Sequence, residues 1–344
     1  MTKIKNRRIE SALQEKIDAK VLTDISMKEY TTMRVGGKAR YLFKALKSSQ
    51  IIDAINVCLQ RNIAYFVLGR GGNVVFSDKG FDGLVILNLA KEIHFDLIRG
   101  QVSAESGITN SELVMALATE GLGGIEFFAT IPGTLGGSIY GNAGAYGWEI
   151  GSFVREIILL VPNFKLSVVE VVKKNGKYLK PFYRSTILKR SQLSIIKRSQ
   201  GVSWGSCQPI ILSATLQLQH KNTEQIIREI NKFIELRRSR QPKNIICSGS
   251  TFKNPLGRSS REKEVYGDIR KTAAYMLDQV GAKKIRVGDA RVSKRHANFF
   301  THSGKASAQD IKDLVDILQK KVYAEFKVKL EPEIEFVGEF ENNY

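Results

Sequence analysis

Two glycine-dense segments and a few isolated polar side chains hold most of the chemical potential in this 344-residue chain. The first segment, Leu68-Gly69-Arg70-Gly71-Gly72-Asn73, follows an apolar strand pattern. Successive backbone N–H groups there can face an anion with no Cβ in the way. Val74 stands where the third glycine of GxGxxG would fall, and GxxxxGK[ST] is also absent, so neither a dinucleotide fingerprint nor a P-loop is present. Read alone, the segment is a phosphate cradle or a tight strand-to-strand turn. The second segment, 121–151, holds ten of the 29 glycines among Phe127, Phe128, Ile131, Leu135, Ile139, Tyr140, Tyr146 and Trp148. Glycine costs chain entropy, so this density among bulky apolar residues points to backbone passing close to a large flat ligand or to other backbone, with ligand contact the favoured reading. Cys58, Cys207 and Cys247 form no CxxC pair, and His94, His220, His296 and His302 lack metal-ligand spacing on one helix. A disulfide framework and a zinc site are therefore not expected. Ser250 follows a glycine with no Ser-His-Asp arrangement around it, and alone reads as a turn residue.

The elements that must position these segments follow from periodicity. Ser48 and Ser49 precede Ile51, Ile52, Ile55, Cys58 and Leu59, the pattern of a capped amphipathic helix. Strands are expected at 64–68, 74–76, 84–88, 154–161, 166–172, 210–219 and 333–338, and a helix from Asn110 to Gly121 with Leu113, Val114 and Leu117 on one face. Thr223 is read as the cap of a helix over 223–240 carrying Ile226, Ile227, Ile230, Phe233 and Ile234. Ser307 caps another, with Asp310 in the box position and Ile311, Leu314, Val315, Leu318 and Val322 inward. The texture changes near residue 220, where a domain boundary is placed. Hydrophobic residues at 43% and charged residues at 25% describe a globular chain. No apolar run approaches the ~18 residues of a membrane span, and the basic N-terminus lacks the apolar core of a signal peptide. The net charge of +19 attracts polyanions, but its scatter along the chain favours general surface basicity over a nucleic-acid footprint.

Seven motifs occur in one order: Thr32-Met33-Arg34-Val35-Gly36-Gly37, LGRGGN, IPGTLGGSIYGNAGAYG, Tyr183-Arg184, GSTFKNP at 249–255, SKRHANFF at 293–300 and LEPEIEFVG at 330–338. Over about residues 22–338 this order resembles the UDP-N-acetylenolpyruvoylglucosamine reductase family. The resemblance implies an α+β fold. After a basic extension at 1–21 comes an FAD-binding region of the PCMH/vanillyl-alcohol-oxidase type at 22–219, with subdomains at about 22–92 and 93–219. A substrate-binding domain follows at 220–330, and a C-terminal strand and tail at 331–344 return to the FAD region. Gly69, Arg70, Gly71, Gly72, Asn73, Ile131, Pro132, Gly133, Gly136, Gly137 and Ser138 would hold the FAD pyrophosphate. Neither glycine segment contains a histidine, so the flavin would be non-covalent. The direct run from strand 210–219 into the helix at 223–240 is similar to the shorter subtype of the family, which lacks a tyrosine loop. Residues 189–209 have no assigned role.

The implied chemistry is reduction of an enolpyruvyl ether by NADPH through FAD, yielding UDP-N-acetylmuramate for peptidoglycan. Arg184 would hold the substrate carboxylate, Ser250 would give a proton to C2, and Glu333 would be the acidic partner beside that carboxylate. Glu331, two residues away on the same strand face, is the residue with which Glu333 could be confused. Tyr183, Lys253, Asn254 and His296 would contact the substrate. Thr186 and Gly72 stand where the family usually has serine. The partners would be UDP-N-acetylenolpyruvoylglucosamine and NADPH, without metal or nucleic acid, for a monomer in the bacterial cytoplasm. The alternatives are another FAD oxidoreductase of the same fold and a non-catalytic flavin- or nucleic-acid-binding protein.

Overall fold

The computed structural model describes residues 10, 11, 13–17, 20–163, 165–190, 209–255 and 272–343. Cys207 and most of the stretch 189–209 lie outside the described residues, as do residues 1–9 of the basic extension. The chain forms two compact units. One comprises Met1–Ile25, Ala39–Gly69 and Asp82–Asn231; the other comprises Ser26–Lys38, Arg70–Phe81 and Lys232–Tyr344. Two short N-terminal stretches thus belong with the C-terminal third.

The first unit contains a four-stranded sheet ordered Val21–Ser26, Lys38–Ala45, Phe81–Asn88, Ala64–Leu68. Its last pair is parallel, in register from Ala64 opposite Gly83 to Leu68 opposite Leu87. The helix Ser48–Arg61 buries Ile51, Ala54, Ile55, Val57 and Cys58 in a core shared with Tyr41, Phe43 and Tyr65. Its N-terminus differs from the serine-capped reading. Gln50 Oε1 accepts from Leu46 N–H at 2.8 Å and Lys47 N–H at 3.2 Å, while Ser48 gives its hydroxyl to Glu105 at 2.7 Å. A long-range carboxylate claims the serine, so a local residue caps in its place. A five-stranded antiparallel sheet follows the order Val168–Asn175, Val154–Asn163, Ile210–Gln217, Gln101–Glu105, Ile93–Asp96. Its Leu160 and Leu212 join the same core.

The second unit packs around the helix Ala308–Phe326. Ile311, Leu314, Val315, Leu318 and Val322 are buried, as their spacing predicts. Ser307 and Asp310 form a reciprocal capping box at 2.9 and 3.0 Å. Asp78 accepts from Ala308 N–H at 3.0 Å and Gln309 N–H at 2.9 Å, a favourable position for an anion. Glu335–Val337 pairs in parallel with Val74–Phe76. The helix Thr223–Arg240 has its predicted bounds, but Asn222 supplies the cap, accepting from Glu224 N–H at 2.9 Å. Thr223 instead gives its hydroxyl to Ala118 O. The last strand is shorter than predicted and leaves Glu333 in a bend, so the same-face argument for Glu331 and Glu333 does not apply.

At the helix Asn110–Thr119, Thr109 and Glu112 form a second capping box. The Thr109 hydroxyl, and after it the Lys91 ammonium, hold the Glu112 carboxyl well below its ordinary range, at about 2. The folded chain therefore favours the carboxylate. Its contribution is complete above the unfolded group's titration range and disappears as pH falls toward about 2. In urea titrations, the stability gap between the native chain and Glu112→Gln should narrow over that descent, and Thr109→Ala should cost about 1 kcal/mol at neutral pH.

Candidate functional site

In the first unit, irregular backbone is held by buried amides. Asn110, 1% exposed, donates to Ile131 O at 2.8 Å and to Ser138 Oγ at 2.9 Å, and its own N–H bonds Gly133 O at 3.1 Å. It thereby shapes the Ile131-Pro132-Gly133 loop and occupies the Ser138 hydroxyl. A Cβ at Gly69 would stand 2.6 Å from Thr134 Oγ1, so Gly69 lies directly against Thr134. Gly136 donates to Ser106 O, and Gly137 is exposed on the short helix Leu135–Tyr140.

Tyr183 and Arg184 form the tip of a tight turn, because Phe182 and Ser185 exchange backbone hydrogen bonds of 2.9 Å each way. Arg184 has φ +52°, a left-handed conformation that a non-glycine residue keeps only when its surroundings impose it. Its guanidinium lies 5.2 Å from the centroid of the buried Tyr183 ring. Two anchors flank the turn: Asn142 donates to Phe182 O at 2.9 Å, and the wholly buried Thr186 donates its hydroxyl to Tyr140 O at 2.8 Å. The hydroxyl retained at position 186 has a structural partner.

In the second unit, hydrogen bonds link five of the sequence motifs in a chain. Thr32 N–H donates to Gly71 O at 3.0 Å, and Thr32 Oγ1 lies 3.4 Å from Ser248 Oγ. Asn73 donates its amide to Glu333 O at 2.8 Å and accepts at its own carbonyl from Glu335 N–H at 2.8 Å. Glu333 N–H in turn bonds Thr251 O at 2.7 Å. Ser250 and Glu333 are thus carried on directly bonded segments, with Asn73 gripping the second. Asn298, 4% exposed, pins the other side by accepting from Phe252 N–H and donating to Phe252 O, at 2.9 and 2.8 Å. The half-buried Ser250 hydroxyl has no hydrogen-bond partner among the described residues.

The remaining expected substrate contacts have protein partners. Lys253 Nζ pairs with Glu331 at 3.2 Å, which separates the exposed Glu331 from the half-buried Glu333. Asn254 Oδ1 accepts from Ala273 N–H at 3.0 Å, at the start of the helix Ala273–Gln279. His296 accepts at Nδ1 from Asn298 N–H at 3.2 Å, which leaves Nε2 as the protonated nitrogen of the neutral ring. Burial, then the Lys283 charge, hold it below its ordinary value. Ser250, Glu333, Lys253, Asn254, His296 and Arg70–Asn73 belong to this unit, whereas Gly69, Ile131–Ser138, Tyr183 and Arg184 belong to the other. Sequence reasoning did not single out Asn110, Asn142 or Asn298 for a role. The last two sit inside quoted motifs, and for Asn142 its place among glycines was the available signal.

An FAD pyrophosphate needs unclaimed donors. The N–H groups of Arg70, Gly71, Gly72 and Asn73 in one unit, and of Gly133 and Thr134 in the other, have no acceptor among the described residues. Each glycine loop, taken by itself, offers free N–H groups suited to an anion of that kind. No group of three or more His, Cys, Asp or Glu that could hold a metal occurs among the described residues. The class these features define is an FAD-binding flavoprotein, and a family model described as an FAD binding domain matches residues 39–179. A second, described as UDP-N-acetylenolpyruvoylglucosamine reductase, C-terminal domain, matches residues 241–337. The reductase of that name from Caldicellulosiruptor saccharolyticus is 34% identical over 95% of each chain. That from Bacillus subtilis is 30% identical over 95% of this chain and 97% of its own. The crystal structure of the Thermus caldophilus enzyme superposes with a TM-score of 0.67 at 27% identity, covering 93% of this chain and 99% of that one. The chain belongs to the UDP-N-acetylenolpyruvoylglucosamine reductase family.

Gly71 has φ +61°, and a Cβ there would lie 2.1 Å from Tyr30 O. Gly71→Ala should therefore cost more than the roughly 1–2 kcal/mol of left-handed strain alone, and should lower both flavin retention on gel filtration and the melting temperature.

Proposed function

We propose that the chain reduces UDP-N-acetylenolpyruvoylglucosamine to UDP-N-acetylmuramate, with NADPH as reductant and FAD as relay, and that Arg184, Ser250 and Glu333 carry the reaction. The observation that carries this reading is the pairing of Ser250 with Glu333. Their segments are bonded to each other and, through Asn73, to a glycine loop with free N–H donors. Arg70–Asn73 and Gly133 offer the FAD pyrophosphate their free N–H groups, Gly69, Ile131, Pro132, Gly136 and Gly137 shape the loops that approach it, and Ser138 fixes the second loop through Asn110. When bound, FAD supplies a two-electron carrier that passes hydride from NADPH to C3 of the enolpyruvyl group.

The protein's own groups manage the charge that this leaves on the substrate. Negative charge develops at C2 and spreads into the carboxylate. Arg184 meets that carboxylate with two parallel hydrogen bonds, which strengthen as the charge grows. Glu333, when protonated, donates a hydrogen bond to the same group. Ser250 delivers its proton to C2. Tyr183, Lys253, Asn254 and His296 orient the rest of the substrate, with Lys253 exchanging Glu331 for a phosphate oxygen. One chain supplies all of these residues, and the enzyme works as a monomer in the bacterial cytoplasm. No helix among the described residues is long and apolar enough to cross a membrane.

Stopped-flow absorbance of the flavin tests the assignment. NADPH should bleach the native protein, and UDP-N-acetylenolpyruvoylglucosamine should restore its colour. Ser250→Ala should be bleached normally but recover about 10²–10⁴-fold more slowly, the usual cost of losing a general acid. Ser250→Cys should keep more activity, because a thiol still carries a proton. Unchanged recovery in the alanine variant would refute the role. Gly137→Ala should raise the stability of the flavin-free protein by up to roughly 1 kcal/mol, since it removes a helical glycine, yet weaken flavin retention by crowding the cofactor.

A further inference from the structure

The left-handed Arg184 must be held by something, and the first unit supplies a specific brace. Asn142 is 0% exposed and itself has φ +47°. Its Nδ2 donates to Phe182 O at 2.9 Å and to Glu149 Oε2 at 2.9 Å, and its Oδ1 accepts from Gly151 N–H at 3.0 Å. All three partners demand the same amide orientation: two pure acceptors face the NH₂, and a donor faces the oxygen. A flipped amide would set oxygen against the Glu149 carboxylate and against Phe182 O. Glu149 therefore locks the amide, and the locked amide fixes the carbonyl two residues before Arg184.

Glu149 has no other visible reason to be where it is. Its Oε1 is buried and without a hydrogen-bond partner, and Asn142 is the sole hydrogen-bond partner of its side chain among the described residues. Leaving a carboxylate oxygen buried and unbonded is costly, so such a group is kept for what its other oxygen does. The turn's second anchor, Thr186 to Tyr140 O, limits the other side. Both ends of the Tyr183–Arg184 turn are thus tied to the glycine-rich segment.

We infer that Asn142 and Glu149 are positioning residues for the substrate reaction, acting through Arg184 and touching neither substrate nor cofactor. The inference rests on the reading of Arg184 as the group that holds the substrate carboxylate. It makes the brace specific to the second half of the cycle, because hydride transfer from NADPH needs no substrate carboxylate.

The test uses the full flavin-loaded chain. Asn142→Asp keeps the shape and tolerates the left-handed conformation, but replaces the donor with an acceptor. It should retain flavin and be reduced by NADPH at the native rate. Reoxidation by UDP-N-acetylenolpyruvoylglucosamine should be impaired about 10²-fold, the scale of a displaced positioning group, mainly as a higher half-saturating substrate concentration. Glu149→Ala should show the same pattern, and Glu149→Gln should rescue it, because its amide oxygen can still accept from Asn142; this pair keeps the proposal testable if Asn142→Asp fails to fold. The double variant Asn142→Asp/Arg184→Ala should be no slower than Arg184→Ala, since the brace has nothing left to position. Multiplying defects, or loss of flavin together with both half-reactions, would mean a merely structural role and overturn the inference. Impaired Arg184→Ala beside unimpaired Asn142→Asp and Glu149→Ala would overturn the brace alone. Normal reoxidation in Arg184→Ala would overturn the assignment of Arg184, and the brace with it.

Discussion

Backbone that runs close to a ligand outside any helix or sheet must still find partners for its buried N–H and C=O groups. Here that need is met by buried or half-buried asparagine side chains, each offering a donor and an acceptor on one short, planar group. Asn88 bonds Ser106 Oγ and Ala90 N–H; Asn110 shapes the loop at 131–133; Asn142 ties the Tyr183–Arg184 turn; Asn73 and Asn298 hold the segments that carry Glu333 and Ser250. An amide spans two irregular strands without the chain entropy of a longer polar side chain. Glycine lets the backbone approach, and asparagine keeps it in place once it has done so.

The same economy explains which N–H groups stay free. In the loop 70–73, carbonyls are used and amides are not: Gly71 O and Asn73 O accept from Thr32 and Glu335, while the four N–H groups have no acceptor among the described residues. A loop anchored through its acceptors presents its donors, which is the polarity an anionic cofactor requires. Ser250 follows a similar rule. Thr251 and Phe252 beside it are bonded to Asn298 and Glu333, so the backbone is rigid while the hydroxyl is unclaimed among the described residues. A hydroxyl held by its neighbours' bonds, and not by its own, is already oriented and still available.

Helix termini show how local and distant interactions compete. Ser307 with Asp310, and Thr109 with Glu112, cap as their spacing indicates, because no distant group draws away the capping hydroxyl. Ser48 and Thr223 are drawn away by Glu105 and by Ala118 O, and Gln50 and Asn222 cap in their stead. Serine and threonine signal a helix start reliably, but which hydroxyl forms the cap depends on what the fold brings beside it.

The sequence by itself determined the family order of the motifs, the helix at 223–240 and the inward face of 308–326. Those signals are local: helical spacing and capping boxes act within four residues, and motif spacing is read directly. Tertiary structure alone decided that Ser26–Lys38 and Arg70–Phe81 join the C-terminal unit, that Glu333 sits in a bend, and that Arg184 takes a left-handed turn. The physical reason lies in where irregular backbone finds its partners. Asn73 meets Glu333 across 260 residues and Asn142 meets Phe182 across 40, distances over which periodicity carries no information. An asparagine's two hydrogen-bonding groups look the same in a loop, a cap or a brace until the fold supplies the atoms they bond.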